Sequence, residues 1–291
     1  MLRQAQKGEI SVPDEKIKEL KERAKELRKT AVTMIYEAQS GHPGGSLSAA
    51  DVLTYLYFCE MNVDPQHPDK ADRDRLVLSK GHVAPALYAV LAHKGYFPVE
   101  ELKTLRKIGS RLQGHPDMKK IPGVDMSSGS LGQGISAACG MAKAAKLQNA
   151  DWRVYAVLGD GEIQEGQVWE AAMFASHYHL DNLCVLVDNN GLQIDGNVAD
   201  VMSPYPIDEK FKAFGFHVIN IDGHDFDQIE AAYQEARTVK GQPTAIIAKT
   251  VKGKGVSFME NQASWHGTAP NDEQYEVAMK ELGEQLKELE R

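Results

Sequence analysis

The fold is decided by the stretch from Val154 to Gly196, which begins VYAVLGDGEIQEG, continues through a helical run and ends LCVLVDNNGLQIDG. It contains two apolar runs of strand length, Val154–Leu158 and Leu183–Val187. The residues between them have the length of a helical crossover, which predicts two parallel, neighbouring strands. The carboxyl ends of both strands would then meet at one edge of a sheet.

Each of these strands is followed by polar residues that can bind a metal. Asp160 lies between two glycines after the first strand, and a polar turn after the second offers Asp188, Asn189 and Asn190. Oxygen ligands of this kind suit an ion such as Mg²⁺, which takes the rest of its shell from water and substrate phosphates. The glycines let the backbone approach a bulky anion. We therefore expect Asp160 and Asn190 to share one ion beside a diphosphate.

Strands and helices alternate along the chain. We predict strands at 75–79, 154–158, 183–187, 218–222 and 244–249. We predict helices at 14–38, with Ser11 as a cap, and at 48–60, 84–94, 98–108, 135–147, 165–177 and 227–238. This order predicts an α/β fold with a mostly parallel sheet and helices on both faces. Ligands of such sheets bind beyond the carboxyl ends of the strands.

The domain organisation follows from the lack of any repeat or clear linker. We expect one domain over 1–291, with a loose N-terminal tail at 1–12 and a polar C-terminal helix at 272–291. The net charge of −8 provides no broad basic field, which argues against binding to nucleic acid or to an anionic membrane. No apolar run has the length of a membrane span or of a signal core.

The three cysteines form no CxxC pair and lie in apolar runs: Cys59, Cys139 and Cys184. We expect buried, reduced thiols and a cytoplasmic protein. The loop Gly129–Gly134 has glycines at its first, fourth and sixth positions, so it is not the GxGxxG loop of nicotinamide-binding folds. GxxxxGK[ST] is also missing, which argues against a nucleoside triphosphate site.

Four histidines lie in glycine or proline turns, where filling a core is not their expected role: His42, His82, His115 and His266. The other six lie in helices or ordinary turns, and we assign them no role. A histidine with a pKa near neutral suits the removal and return of a hydroxyl proton.

The chain resembles thiamine diphosphate enzymes in having GDG followed, about 30 residues later, by NN. It is similar to transketolases in particular in GDGEIQEGQVWEA, DNNGLQIDG, SGHPGGSLSAAD, DRLVLSKGHVAPALYA, GHPD, SGSLGQGISAA and WHGTAP. These motifs run from residue 40 to residue 270, nearly the whole chain, in the order found in that family.

The resemblance implies a site for thiamine diphosphate and a metal. Asp160, the Asn190 side chain and the Leu192 carbonyl would hold Mg²⁺ or Ca²⁺ against the diphosphate. The diphosphate itself would be contacted by Gly161, Asn190, His82 and His266. The aminopyrimidine of the cofactor would lie near the loop Gly129, Ser130 and Leu131.

The resemblance also implies catalytic roles in a two-carbon transfer between sugar phosphates. His42 and His266 would face the C3 hydroxyl of the donor sugar, with His82 in the same histidine cluster. His115 would bond to the C1 hydroxyl and carbonyl region. Glu165 would join a proton-carrying network across a subunit interface, although an acid that favours the helix start is also compatible with the sequence.

One departure from the family concerns the second half of the enzyme. In transketolases, a pyrimidine-binding domain supplies the glutamate that activates the cofactor and the groups that bind the sugar phosphate. Only about 25 residues follow His266 here, too few for such a domain. We therefore expect a split enzyme, with a separate C-terminal transketolase subunit in an α2β2 assembly; a piece of a longer transketolase chain would have the same sequence.

Two alternatives stay open at this point. One is another thiamine diphosphate enzyme: dihydroxyacetone synthase, 1-deoxyxylulose-5-phosphate synthase or a 2-oxo acid dehydrogenase alpha subunit. The QEG and WHG motifs argue against the last two. The other is a cofactor-binding partner protein without activity of its own.

Overall fold

The computed structural model describes residues 14–289. The tail predicted for 1–12 and the Ser11 cap lie outside the described residues. The described residues form seven strands: β1 Arg75–Leu78, β2 Val154–Gly159, β3 Leu183–Asn189, β4 Leu192–Gln193, β5 Gly196–Asn197, β6 His217–Asp222 and β7 Thr244–Lys249.

The main sheet has five strands in the order β1-β2-β3-β7-β6, and every pair in it is parallel. β4 and β5 form a separate antiparallel hairpin. In the register of β2 and β3, Gly159 pairs with Asp188. Asp160 and Asn190 therefore leave the sheet at adjacent points of its carboxyl edge.

Ten α-helices surround the sheet in the described part of the chain. They are α1 Asp14–Ala38, α2 Pro43–Ser48, α3 Ala50–Tyr55, α4 Ala84–Lys94, α5 Gln133–Leu147, α6 Gly166–His177, α7 Val198–Met202, α8 Ile207–Ala213, α9 Phe226–Thr238 and α10 Asp272–Leu289. Short 3₁₀ helices cover Gly81–Val83, Val99–Thr104, Glu162–Gln164 and Ala263–Trp265, and a π-helical turn covers Leu56–Glu60.

Helices cover both faces of the sheet because the side chains of each strand alternate between two apolar cores. In β2, Tyr155 and Val157 point into the core shared with α1, α3, α4 and α9. Val154, Ala156 and Leu158 point into the core shared with α5, α6 and α8. A parallel strand buried on both sides reads as an uninterrupted apolar run, which is how β2 and β3 appear in the sequence.

A third, smaller apolar cluster fixes the segment between β7 and α10. Val256, Met259 and Trp265 of this segment pack against Val32 of α1 and Ala278 of α10. The segment is thereby held across the carboxyl edge of the sheet. None of the helices within residues 14–289 combines the length and apolar character needed to cross a membrane.

Three local predictions were wrong. The helix predicted for 98–108 is only the 3₁₀ turn Val99–Thr104, because the chain adopts a left-handed conformation at Arg106, with φ 59°. The SGHPGG segment is not only a turn, since α2 begins at Pro43, whose fixed φ suits the first turn of a helix. Cys59 is exposed on the π-helical turn, whereas Cys139 and Cys184 are buried as expected.

Candidate active site

A cavity of about 190 Å³ opens at the carboxyl ends of β1, β2 and β3. It contains most of the residues expected at the site. Its lining includes His82, Leu131, Asp160, Gly161, Glu165, Asn190, Leu192 and His266, and also Lys80, Glu162 and Lys252.

Asp160 is held rigidly at the end of β2. Its two carboxylate oxygens accept hydrogen bonds from the backbone N–H groups of Gly161, at 2.8 Å, and of Gly191, at 2.5 Å. Burial, together with repulsion from Asp188, raises the pKa of Asp160 to about 6 despite these hydrogen bonds. A bound cation would offset this cost by stabilising the charged carboxylate.

The donor set around Asp160 fits a hard cation. The Asp160 carboxylate, the Asn190 amide oxygen and the Leu192 carbonyl belong to residues that line the same cavity, and oxygen is the ligand atom that Mg²⁺ and Ca²⁺ prefer. Within residues 14–289, His, Cys, Asp and Glu side chains form no group of three suited to a metal. A metal at this edge would therefore depend on amide and backbone oxygens and on the phosphates of its ligand.

Asp188 does not belong to a turn as predicted. It lies in β3 and is 1% exposed. Its carboxylate forms an ion pair with Lys80 and accepts hydrogen bonds from Thr250 and, at 2.6 Å, from Ser48. Burial raises the pKa of Asp188, but the Lys80 ammonium and these hydrogen bonds lower it below the usual value. Because both of its carboxylate oxygens have partners within the protein, Asp188 stabilises the interior and is not available to a metal.

Two lysines, Lys80 and Lys252, line the cavity, and Lys80 is already paired with Asp188. Both are 2% exposed. The Lys252 ammonium donates to the Leu192 carbonyl at 3.3 Å and lies 3.0 Å from Nδ1 of His266. Burial and the neighbouring Lys80 lower the pKa of Lys252 to about 8. A diphosphate would be attracted to the Lys252 ammonium, so the cavity fits the anionic half of the cofactor as well as the metal.

Three of the four expected histidines pack together, and two of them, His82 and His266, line the cavity. The ring centroid of His42 lies 5.2 Å from that of His82 and 5.4 Å from that of His266, and the His82 and His266 centroids are 5.2 Å apart. They come from the start of α2, the 3₁₀ turn after β1 and the 3₁₀ turn before α10. Nδ1 of His42 is buried without a hydrogen-bond partner, which leaves it available to a ligand.

These histidines are neutral at physiological pH. Burial, followed by repulsion from Arg106, His115 and Lys252, lowers the pKa of His42 to about 4. Burial and the adjacent Lys252 lower the pKa of His266 to about 3, and burial with Lys80 lowers that of His82. The pKa values thus lie below the near-neutral range expected from the sequence. An anion in the cavity would raise all three, because opposite charge favours the protonated ring.

His115 is exposed and lies beside this cluster, near enough to disfavour protonation of His42. Its ring packs against Gly129, where a Cβ would come within 3.1 Å of it. Burial of the ring nitrogens and nearby Arg106 lower its pKa. Of the predicted loop, Leu131 lines the cavity, while Gly129 and Ser130 precede it on the side of His115. Glu165 is exposed at the rim, just before α6.

Sequence reasoning missed the role of Glu162. Its buried carboxylate accepts hydrogen bonds from Ser79 Oγ at 2.5 Å and from the backbone N–H groups of Gly132 and Gly159, both at 3.0 Å. It thereby joins the ends of β1 and β2 to the loop before α5. The lysines were missed as well, although Lys80 and Lys252 each stand beside a glycine after a strand.

Comparison with known proteins assigns the chain to a family. Residues 20–289 match the family described as the transketolase, thiamine diphosphate binding domain. The chain belongs to the transketolase family. It is therefore a thiamine diphosphate-binding member of that family, and the prediction of a mostly parallel α/β fold is confirmed by the solved structures below.

Several relatives have about the same length as this chain. It is 47% identical over 264 residues to the 6-deoxy-6-sulfo-D-fructose transketolase subunit SqwG of Clostridium sp. (strain MSTE9), covering 91% of this chain and 96% of that protein. It is 43% identical to one subunit of the apulose-4-phosphate transketolase of Phocaeicola vulgatus, covering 91% of this chain and 94% of that protein.

Other relatives are more than twice as long. The chain is 44% identical to the transketolase of Homo sapiens, covering 94% of this chain and 44% of that protein. The crystal structure of transketolase from Campylobacter jejuni superposes with a TM-score of 0.86 at 36% identity. That match covers 91% of this chain and 42% of the solved chain, so the present chain spans less than half of these transketolases.

Proposed function

We propose that this chain is the diphosphate-binding subunit of a two-chain transketolase. The assembly would transfer a two-carbon ketol unit from a ketose phosphate, such as xylulose 5-phosphate, to an aldose phosphate, such as ribose 5-phosphate. The observation that carries this proposal is the packing of three neutral imidazoles, His42, His82 and His266, beside the oxygen donors of Asp160 and Asn190.

The residues present fit the cofactor and its metal. Asp160, Asn190 and the Leu192 carbonyl would hold Mg²⁺ or Ca²⁺, and Lys252 would contribute positive charge beside the diphosphate. Gly161 suits close contact with that group, because even a methyl group there would come within 3.1 Å of Gln193. Thiamine diphosphate supplies, when bound, the carbon nucleophile and electron sink that C–C bond cleavage requires.

The histidines would move the proton of the reaction. Cleavage of the C2–C3 bond of a ketose requires a base at the C3 hydroxyl. His42 and His266 are neutral and can accept that proton, then return it when the aldose is joined. Their pKa values would rise when the diphosphate binds, which brings them closer to the range suited to this exchange. His115 would orient the C1 end of the donor from the rim.

We also propose a partner chain, a single-domain organisation and a cytoplasmic location. The relatives named as transketolase subunits match this chain over nearly their whole length, which supports a separate chain carrying the pyrimidine-binding domain. Glu165 is exposed at the rim of the cavity, where such a chain can reach it. Two copies of each chain would form the assembly. Free cysteines at all three positions are compatible with the cytoplasm.

The test combines the chain with a candidate second subunit, thiamine diphosphate, Mg²⁺, xylulose 5-phosphate and ribose 5-phosphate. Glyceraldehyde 3-phosphate should form only when both chains are present. Removal of the metal with EDTA should abolish turnover, and added Mg²⁺ should restore it. His266→Ala should reduce turnover by at least about 100-fold, as expected for loss of a general base.

The relatives suggest further candidates for the donor sugar. Two of them are named for 6-deoxy-6-sulfo-D-fructose and for apulose 4-phosphate. Each of these two sugars should therefore be tested as the donor, in place of xylulose 5-phosphate, in a parallel assay. Pyruvate consumption with release of carbon dioxide would instead indicate a different thiamine diphosphate enzyme, and unchanged turnover in His266→Ala would contradict the assigned proton transfer.

A further inference from the structure

His224 lies outside the cavity but is bonded to the loop that carries Lys252. It follows β6, and its Nε2 accepts a hydrogen bond of 2.9 Å from the backbone N–H of Val251. Its Nδ1 lies 2.6 Å from Oδ2 of Asp51, a buried residue of α3. The ring therefore connects the interior of the protein to the residue that immediately precedes Lys252.

These two contacts determine which ring nitrogen carries the proton. An amide N–H points at Nε2, so Nε2 must present its lone pair, and the proton must be on Nδ1, which donates it to Asp51. Asp51 is fixed in turn by Arg28 of α1, whose two terminal nitrogens contact the two carboxylate oxygens. The orientation and the tautomer of His224 are thus set by the core.

The loop after β7 is held at three consecutive residues. The Val251 N–H donates to His224, the Lys252 carbonyl accepts from Asn261 N–H at 2.9 Å, and Gly253 N–H donates to the Gly44 carbonyl at 2.9 Å. The last two bonds join backbone to backbone. The bond at Val251 is made by a side chain, so a substitution can remove it without altering the other two.

We propose that His224 is a positioning residue for the cofactor, because its neutral ring holds the Val251 amide and so keeps the Lys252 ammonium at the diphosphate end of the cavity. The inference rests on the proposed function. Lys252 must stay within reach of both Leu192 and His266, at 3.3 and 3.0 Å, to present its charge there. Without an acceptor for Val251, the loop would shift to find one in solvent and carry Lys252 with it.

The experiment compares two substitutions that differ in which contact they keep. In His224→Asn the amide nitrogen lies two bonds from Cβ, as Nδ1 does, so it can still donate to Asp51. The shorter side chain does not reach the Val251 N–H. In His224→Gln the amide oxygen lies three bonds from Cβ, as Nε2 does, so it can accept from Val251. Affinity for thiamine diphosphate at saturating Mg²⁺ is measured by isothermal titration calorimetry on the chain mixed with the second subunit.

We expect His224→Asn to raise the dissociation constant of thiamine diphosphate by about tenfold, and His224→Gln by less than about threefold. At saturating cofactor, turnover of both variants should return to the wild-type value. Hydrogen exchange measured without cofactor should be faster at 250–254 in His224→Asn and unchanged in His224→Gln. A purely structural role would lower the melting temperature without separating the two variants in this way.

His217→Asn is the matched control. His217 also bonds a carboxylate, that of Glu235 at 2.6 Å, but it stands at the start of β6, away from the carboxyl edge. It should leave the dissociation constant unchanged. Equal weakening by both His224 variants, or wild-type affinity in His224→Asn, would overturn the inference. A wild-type assembly that binds no thiamine diphosphate would overturn the proposed function as well, whereas the exchange rates test the loop independently of it.

Discussion

The contribution of the buried ion pair of Lys80 and Asp188 to the free energy of unfolding can be tested quantitatively. The two side chains are 2% and 1% exposed. Lys80→Met preserves much of the aliphatic volume but removes the ammonium, so the Asp188 carboxylate stays buried without it. Removing one partner of a buried pair typically costs about 3–5 kcal/mol. Asp188 retains the hydroxyl donors of Ser48 and Thr250, so we expect the lower end, about 3 kcal/mol.

The second substitution removes the charge that causes this loss. Asp188→Asn in the Lys80→Met background leaves a neutral amide whose oxygen can accept from Thr250. Its NH₂ group can donate to Ser48 Oγ, which also donates to the Gly45 carbonyl. We expect the double variant to be more stable than Lys80→Met by about 1–2 kcal/mol. The free energy of unfolding is measured from urea transitions followed by tryptophan fluorescence.

Lys16→Met serves as the control, since Lys16 pairs with Glu19 at 3.3 Å on the surface, where both side chains are more than a third exposed. It should cost less than about 1 kcal/mol. A loss below about 1 kcal/mol for Lys80→Met, or a double variant no more stable than the single one, would refute the reasoning.

Two further predictions concern α5 and the acid stability of the core. Gly134→Ala should destabilise the fold by at least about 2 kcal/mol, because its Cβ would lie 2.6 Å from the Cα of Ser79. Gly140→Ala, in the same helix with nothing within 4 Å, should stabilise it by up to about 1 kcal/mol; thermal unfolding that ranks the two alike would contradict this. Burial raises the pKa of Asp51, but Arg28 and His224 lower it to about 2 from 3.8. A depressed pKa stabilises the fold above 3.8, so about 2 kcal/mol should be lost as the pH falls from about 4 to about 2. Urea midpoints measured across this range should show the loss, and Arg28→Gln should show less of it.

The central strands of the sheet could be predicted because they are buried on both faces. β2 extends one residue beyond the predicted 154–158, and β7 has the predicted range 244–249. The crossover between β2 and β3 was predictable too, since the spacing of the two polar turns leaves room for one helix. Local apolar runs and turn residues carry this information, and both can be read without knowing the rest of the chain.

The partners of the buried charges could not be predicted. Asp188 was taken for a turn residue because an aspartate after an apolar run normally marks the end of a strand. Its burial is made possible by Lys80, which lies 108 positions away in the sequence. Pairing of this kind depends on the tertiary arrangement. The left-handed backbone at Arg106, which ends the predicted helix at 98–108, has no glycine or asparagine to signal it.

For the histidines, the sequence predicted part of the arrangement and missed another part. Turn composition identified His42, His82, His115 and His266 as a group, and the rings of His42, His82 and His266 do pack together. Their assigned roles stay predictions. The predicted role of His115, which is exposed, stays a prediction as well. The same composition did not reveal His224, whose DGHD context is that of an ordinary turn. The hydrogen bond between Val251 N–H and His224 joins two loops, and the sequence of neither loop predicts it.

The three hydrogen bonds to Glu162 have a consequence for affinity. They join Ser79 just after β1, Gly132 in the loop before α5 and Gly159 at the end of β2. Loops ordered in this way lose their conformational entropy when the chain folds rather than when a ligand arrives. The cavity is thus preorganised, and more of the intrinsic attraction between its cations and a diphosphate is retained as binding free energy.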